Sequence, residues 1–317
     1  AIETEFWKWG RKGVCELSRK LSFVALMHLV VKATARDGEA LVRKVYGPRV
    51  NPYGFGLQLL DIDRLDINRN EELRNGNLIK MGVEISPVGE PVAYHLLTKH
   101  PGDSVYATYQ GVQYERVPAR DIYHLGIPDR PEQTRFVPWM HAAMMRLQNL
   151  GGYEEAAVIA ARVGAAKNPV WESPDGNPEP LGNETDAAGN VLTDAEPGQQ
   201  VVAPPGYKLS SWNPDYPHEQ YDGFVKACLR GVASGVGVAY NTLANDLEGV
   251  NFSSIRSGVI EERDNWMVLQ GWFIESLLLD VFENFLRFAL ANNRFRLPNG
   301  DGLPLAKFDD FNQPLWR

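Results

Sequence analysis

Prolines divide this chain. None occurs between Pro217 and Pro298, whereas nine of the 21 fall within residues 166–219. Proline fixes φ and lacks a backbone N–H, so it interrupts helices. The proline-free stretch is therefore where long helices belong. We read His218 to Val236 as a helix closed by Gly231, Gly235 and Gly237, and then a polar loop running from Asn241 to Phe252. A second helix follows, capped by Ser253 or Ser254 and reaching about Ala291, with a kink expected at Gly271. Its second half, Trp272 to Leu290, is apolar on most faces and should be buried all round, in a core or between subunits.

The proline-rich segment 166–219 also carries nine acidic and only two basic residues, nearly the whole imbalance behind the net charge of −8. It reads as a small, acidic, partly ordered protrusion, with short strands near Val191–Thr193, Gln199–Val202 and Tyr207–Leu209. A disordered acidic loop is the alternative.

Upstream the texture changes twice. Residues 1 to about 35 are helical in pattern and lack proline. From Glu39 to Leu125, short apolar stretches alternate with Gly, Pro and Asp, the signature of antiparallel strands; Ala40–Val42, Phe55–Leu60, Gly82–Ser86, Pro91–Leu96 and Ser104–Tyr109 are examples. Pro138 then opens a helix, which Gly151-Gly152 should break before it resumes from Tyr153 to Ala166.

An acidic balance argues against a protein that grips nucleic acid through phosphates. It does not argue against one past which DNA must slide. Cys15 and Cys228 show no metal-ligand spacing and are expected as reduced, buried thiols. The basic-then-apolar stretch Lys20 to Val31 imitates a secretion signal, but His28 interrupts it, and a buried helix or strand is expected instead. No window has the roughly 18 apolar residues needed to span a bilayer, so a soluble intracellular protein is expected.

Catalytic patterns are missing or weak. Gly231, Gly235 and Gly237 do not form a GxGxxG phosphate loop, and no Walker-type Gly-Lys-Ser/Thr run or GxSxG nucleophile elbow occurs. The six histidines stand singly and read as structural. Asp121 and His124 could form a dyad in a hydrolase, although strand alternation explains them more cheaply. Glu261 and Glu262 point about 100° apart on a helix, so a solvated face is the default. No catalytic residue, metal or cofactor is expected.

Longer blocks are more specific. Phe224, then Leu229-Arg230-Gly231-Val232-Ala233-Ser234-Gly235-Val236-Gly237-Val238-Ala239-Tyr240-Asn241-Thr242-Leu243, is followed by Asp246 and by Asn251-Phe252-Ser253-Ser254-Ile255-Arg256-Ser257-Gly258. Upstream lie Gly82-Val83-Glu84, Gly89 to Leu96, Val117 to His124 and Arg130 to Trp139. In this order the blocks resemble those of the lambda-family portal proteins of tailed bacteriophages. Phe252, Ile255 and Phe136 depart from the family's preferred Tyr, Ala and Gly.

The resemblance implies an α+β portal fold. A β-rich wing would occupy 1–136 and a first stem helix 137–165. A small α/β clip would occupy 166–217 and a second, antiparallel stem helix 218–237. A tunnel loop at 238–253 and a long kinked helix at 254–291 would follow, with a return to the wing at 292–317. An N-terminal arm and a C-terminal crown are expected to lie outside this sequence. The implied function is structural: a ring of about twelve subunits at one capsid vertex, through which double-stranded DNA is packaged and ejected. Implied partners are further copies of the chain, the DNA, the terminase, the major capsid and scaffold proteins, and the head-tail joining proteins; no membrane is implied. The protein would be assembled in the bacterial cytoplasm and reside in the virion.

Within that frame, Asn241, Asn245, Asp246, Glu248, Asn251, Phe252, Ser253 and Arg256 are the DNA-proximal candidates. Arg256 and Lys226 are candidates for sparse phosphate contacts or for pairing between subunits. Terminase docking would fall to Glu172, Asp175, Glu179, Glu184, Asp186, Asp194 and Glu196. Two rival readings remain, a monomeric adaptor with an acidic loop and a hydrolase using Asp121 and His124.

Overall fold

The computed structural model describes residues 2–103, 113–166, 169–172, 208–211, 221–246, 248, 252–297 and 300–316. The chain mixes helix and sheet and divides into two compact units, residues 1–141 with 250–317, and residues 142–249.

In the first unit, α1 (Ile2–Trp9) and α2 (Phe23–Asp37) precede a three-stranded antiparallel sheet in the order β2 (Phe55–Leu60), β1 (Glu39–Tyr46), β8 (Ile122–Gly126). The secretion-like stretch is α2. Ser22 caps it by accepting the Ala25 N–H, and Phe23, Leu26, Val30 and Thr34 form its buried face. A second antiparallel sheet runs β3 (Glu71–Glu72), β4 (Leu78–Lys80), β5 (Val83–Ile85), β6 (Pro91–Leu97), β7 (Tyr114–Pro118). Ser104–Tyr109, read as a strand, lies outside the described residues.

Strand β1 separates two cores because successive side chains leave opposite faces of the pleat. Ala40 and Val42 join a large aromatic core with Phe6, Trp9, Phe23, Phe55 and Phe285, whereas Leu41 joins a smaller one with Leu65, Val83, Tyr94, Val117 and Ile122. The Trp9 indole N–H, buried in the larger core, donates to the Phe55 carbonyl at 2.9 Å. Cys15 is buried as expected, and burial pushes its thiol up to about 12. Cys228 is only half-buried, which corrects the expectation of two buried thiols.

The long helix is α6 (Phe252–Phe273), a π-helical turn (Ile274–Leu278) and α7 (Leu279–Ala291). Phe252 is already helical, so neither Ser253 nor Ser254 is the cap. The irregularity falls just beyond Gly271, where i→i+5 bonding widens one turn. Helix α7 is amphipathic rather than buried all round: Val281, Phe282, Phe285, Leu286, Ala289 and Leu290 face the core, while Glu283 and Arg287 pair outside at 2.9 Å. The open apolar surface is in α6 instead, where Ile260, Trp266, Met267 and Val268 are exposed. Glu262 is buried while Glu261 is exposed, so the expected solvated pair is divided.

In the second unit, α3 (Met144–Ala166) and α4 (Tyr221–Val236) pack antiparallel. Tyr153 lies against Tyr221 and Phe224, and Ala143, just before α3, lies against Gly235. Helix α3 begins six residues after Pro138 and passes unbroken through Gly151-Gly152, correcting both expectations. Gly231 and Gly235 are inside α4 and do not end it. A Cβ at Gly231 would meet the Arg146 guanidinium, and one at Gly235 would stand 3.3 Å from the Ala143 Cβ. They are glycines because the two helices approach closely there; only Gly237, at φ 79°, lies just past the helix end. Strands β9 (Pro169–Glu172) and β10 (Lys208–Ser211) pair antiparallel, in partial accord with a strand at Tyr207–Leu209. The other two expected strands lie outside the described residues.

Glu84 gives the second sheet a pH dependence. Its buried carboxylate accepts from Arg116 Nε at 2.7 Å and Nη2 at 3.1 Å, from Asn77 at 2.8 Å, and bonds His95 at 3.2 Å. The Arg116 guanidinium first, then the Asn77 and His95 bonds against burial, hold this carboxyl at about 2, below the ordinary 4.5. A lowered carboxyl stabilises above the ordinary value and loses that contribution as pH falls toward about 2. Allowing for solvent screening at half-exposed Arg116, it contributes about 2 kcal/mol. Glu84→Gln should cost that amount at pH 7 and unfold less steeply than wild type between about pH 5 and 2. Parallel urea-unfolding curves across that window would remove this explanation.

Candidate functional site

The segment after α4 folds on itself. Tyr240–Ala244 forms one short helix, α5, so the expected loop is partly helical. Asn245 ends it in the left-handed region at φ 51°, which asparagine tolerates better than most residues. The turn brings Asp246 back to α5, where it accepts the Tyr240 hydroxyl at 2.8 Å and the Glu248 N–H at 2.9 Å.

Lys226, on α4, organises the charges. Its ammonium lies 2.7 Å from Glu248, 2.9 Å from Asp222 and 4.0 Å from Asp246. The Glu248 hydrogen bond, followed by that from Asp222, holds the ammonium well above its ordinary value. The Glu248 N–H, then the Tyr240 hydroxyl, lowers Asp246. The Arg230 guanidinium sits 5.2 Å from the centre of the Tyr240 ring. Lys226 thus pairs with carboxylates of its own chain. Among the described residues, this surface gathers Asp222, Asp246 and Glu248 around Lys226, with Arg230 against the Tyr240 ring.

Among the other DNA-proximal candidates, Asn241 is half-buried in α5 and Asn245 exposed at its end. Phe252 and Ser253 are in the first turn of α6, and Arg256 is exposed one turn further on. Asn251 lies outside the described residues. Of the acidic docking candidates, Glu172 ends β9 opposite Lys208, while Asp175, Glu179, Glu184, Asp186, Asp194 and Glu196 lie outside the described residues. Asp222, Arg230 and Tyr240 were not singled out in the sequence. The i, i+4 spacing of Asp222 and Lys226 was a usable signal.

The hydrolase dyad does not form. His124 Nε2 bonds buried Glu39 at 2.7 Å, and its ring lies edge-on to Tyr94 and Phe136, while Asp121 sits 4.0 Å from Arg120. Asp61, Asp63 and His100 place three metal-ligating atoms close together at the surface, two from the short helix that Asp61 caps and one from the turn at His100. His100 Nδ1 accepts the Gly102 N–H at 3.0 Å, leaving the ring proton on Nε2, and Asp61 caps Asp63 at 3.0 Å. No helix among the described residues is long and apolar enough to cross a membrane.

Residues 1–270 match the family model of phage portal proteins, lambda family. The chain belongs to this family. A probable portal protein of Halomonas phage phiHAP-1 is 37% identical over 300 residues, covering 94% of this chain and 58% of that protein. The chain therefore spans less than two thirds of that relative's length. Among solved structures, the neck of an empty gene transfer agent particle computed with C6 symmetry gives 14% identity and a TM-score of 0.42, over 74% of this chain and 59% of that one. The virion of a native gene transfer agent particle gives 13% and 0.41, over 81% and 68%.

Proposed function

We propose that this chain is the portal subunit of a phage capsid vertex. It would assemble into a ring of about twelve copies that passes double-stranded DNA. The observation that carries this is the family match over residues 1–270, which includes the antiparallel α3–α4 pair and the loop after α4. In this reading α3 and α4 are the stem, residues 166–217 the clip, and the turn from Tyr240 to residue 253 the tunnel loop. The terminase and head-tail joining proteins would meet the acidic clip, and the capsid and scaffold proteins the wing.

The electrostatics suit a duplex in transit. Binding that releases many counterions is tight, and would stall the DNA. A loop beside a lysine, Lys226 of α4, that Asp222 and Glu248 already neutralise binds phosphates weakly. The full-length protein should show ring-sized mass by light scattering and rings with a central hole by negative stain. Its affinity for duplex DNA should be weak, with a shallow salt dependence. A strict monomer at all concentrations overturns the reading.

A further inference from the structure

The first half of α6 shows two exposed sides of opposite charge. Successive helical residues turn by about 100°. Arg256, Val259, Arg263, Trp266 and Met267 therefore share one strip, whereas Ser257, Glu261, Asp264 and Val268 share another, turned roughly 130° away. All nine are exposed, with Trp266 at 41%, Met267 at 59% and Val268 at 73%. Glu262, buried, with Gly258 and Leu269 half-buried, marks the remaining side. No arginine here stands three or four residues from an acid of the other strip, the spacings at which side chains meet on one helix. Among the described residues, none of Arg256, Glu261, Arg263 and Asp264 forms an ion pair.

We propose that the arginine strip of one copy packs on the acidic strip of the next. The inference rests on the ring reading above and adds which surfaces meet. A two-fold dimer would place a strip against its own copy, arginine on arginine or acid on acid. Strips this far apart cannot both face a single neighbouring helix. The charge pattern therefore favours an unlike, head-to-tail contact, the kind that closes into rings. Trp266, Met267 and Val259 supply apolar area that leaves water. The charges set register and exclude the symmetric pairing.

Two variants of the full-length protein test this. Arg256→Glu with Arg263→Glu makes both strips acidic, and Glu261→Lys with Asp264→Lys makes both basic. At a concentration where wild type is fully assembled, each variant alone should lose at least about tenfold of its ring fraction by light scattering, with unchanged circular dichroism. Mixed in equal amounts, the two should recover rings, since every contact then joins an acidic to a basic strip. Single changes, Arg263→Glu and Asp264→Lys, provide a milder pair should either double variant misfold. Rings formed by each variant alone overturn this interface but leave the ring reading intact, as does a mixture that fails to recover. A monomeric wild type overturns both.

Discussion

Replacing Glu39 by Ala is expected to destabilise this chain by about 4 kcal/mol, the range for removing one partner from a buried ion pair. Glu39 is 3% exposed and accepts four bonds: from His124 at 2.7 Å, twice from Arg135 Nε at 2.7 and 3.0 Å, and from the Phe136 N–H at 2.8 Å. Burial alone would raise its carboxyl, but the bond to His124 and the charges of His124 and Arg135 bring it below the ordinary value. Arg135 also donates to the Leu65 and Met81 carbonyls at 3.0 Å each, so one guanidinium ties β1 to the loops flanking the second sheet. Without the carboxylate, a buried guanidinium loses its counter-charge and the Phe136 N–H its acceptor. Urea unfolding of Glu39→Ala, beside Glu39→Leu with Arg135→Met, separates the two causes. The double variant should recover much of the loss, because replacing a whole buried pair by apolar groups is often near neutral. A single variant within about 1 kcal/mol of wild type would show the network to be dispensable.

Local rules made much of the fold legible. The short apolar stretches Ala40–Val42 and Pro91–Leu96, set among Gly, Pro and Asp, announced strands, and both are found. What failed depended on partners distant in sequence. Glycines were read as helix punctuation at 151–152 and 231–235, because alone each costs about 1 kcal/mol in a helix. Gly231 and Gly235 serve helix contact instead, and that depends on Arg146 and Ala143, some 90 residues away. The pairing of Lys226 with Glu248 was hidden because the two lie 22 positions apart, beyond any helical spacing rule. The apolar doublets Leu277-Leu278, Val281-Phe282, Phe285-Leu286 and Ala289-Leu290 recur every four residues. On a regular helix that period drifts by about 40° a step, which makes one buried stripe resemble an all-round apolar surface. At the candidate loop, sequence named Asp246, Glu248 and Lys226 but not their pairing.

The other large effect should come from a single methyl group. Gly38→Ala is expected to cost about 4 kcal/mol, from two sources that a second glycine separates. Gly38 ends α2 at φ 87°, its N–H donating to the Thr34 carbonyl at 3.0 Å. An L-residue in that left-handed conformation costs about 1–2 kcal/mol. The new Cβ would also meet backbone: the Val137 carbonyl carbon and, at 2.7 Å, the Pro138 nitrogen. A flexible side chain could turn aside, but this backbone is held by the Trp139 N–H to the Ala35 carbonyl at 3.2 Å and by Glu39 at Phe136. Relief would require moving the segment away from β1, at a cost in the overpacking range of about 1–3 kcal/mol. Gly13 has the same φ of 87° with open space around its would-be Cβ. Gly13→Ala should therefore show the conformational cost alone, about 1 kcal/mol, and the difference between the two variants measures the close approach. Equal losses in thermal or urea unfolding would mean that Val137 and Pro138 yield freely, and that the Glu39 network does not pin them.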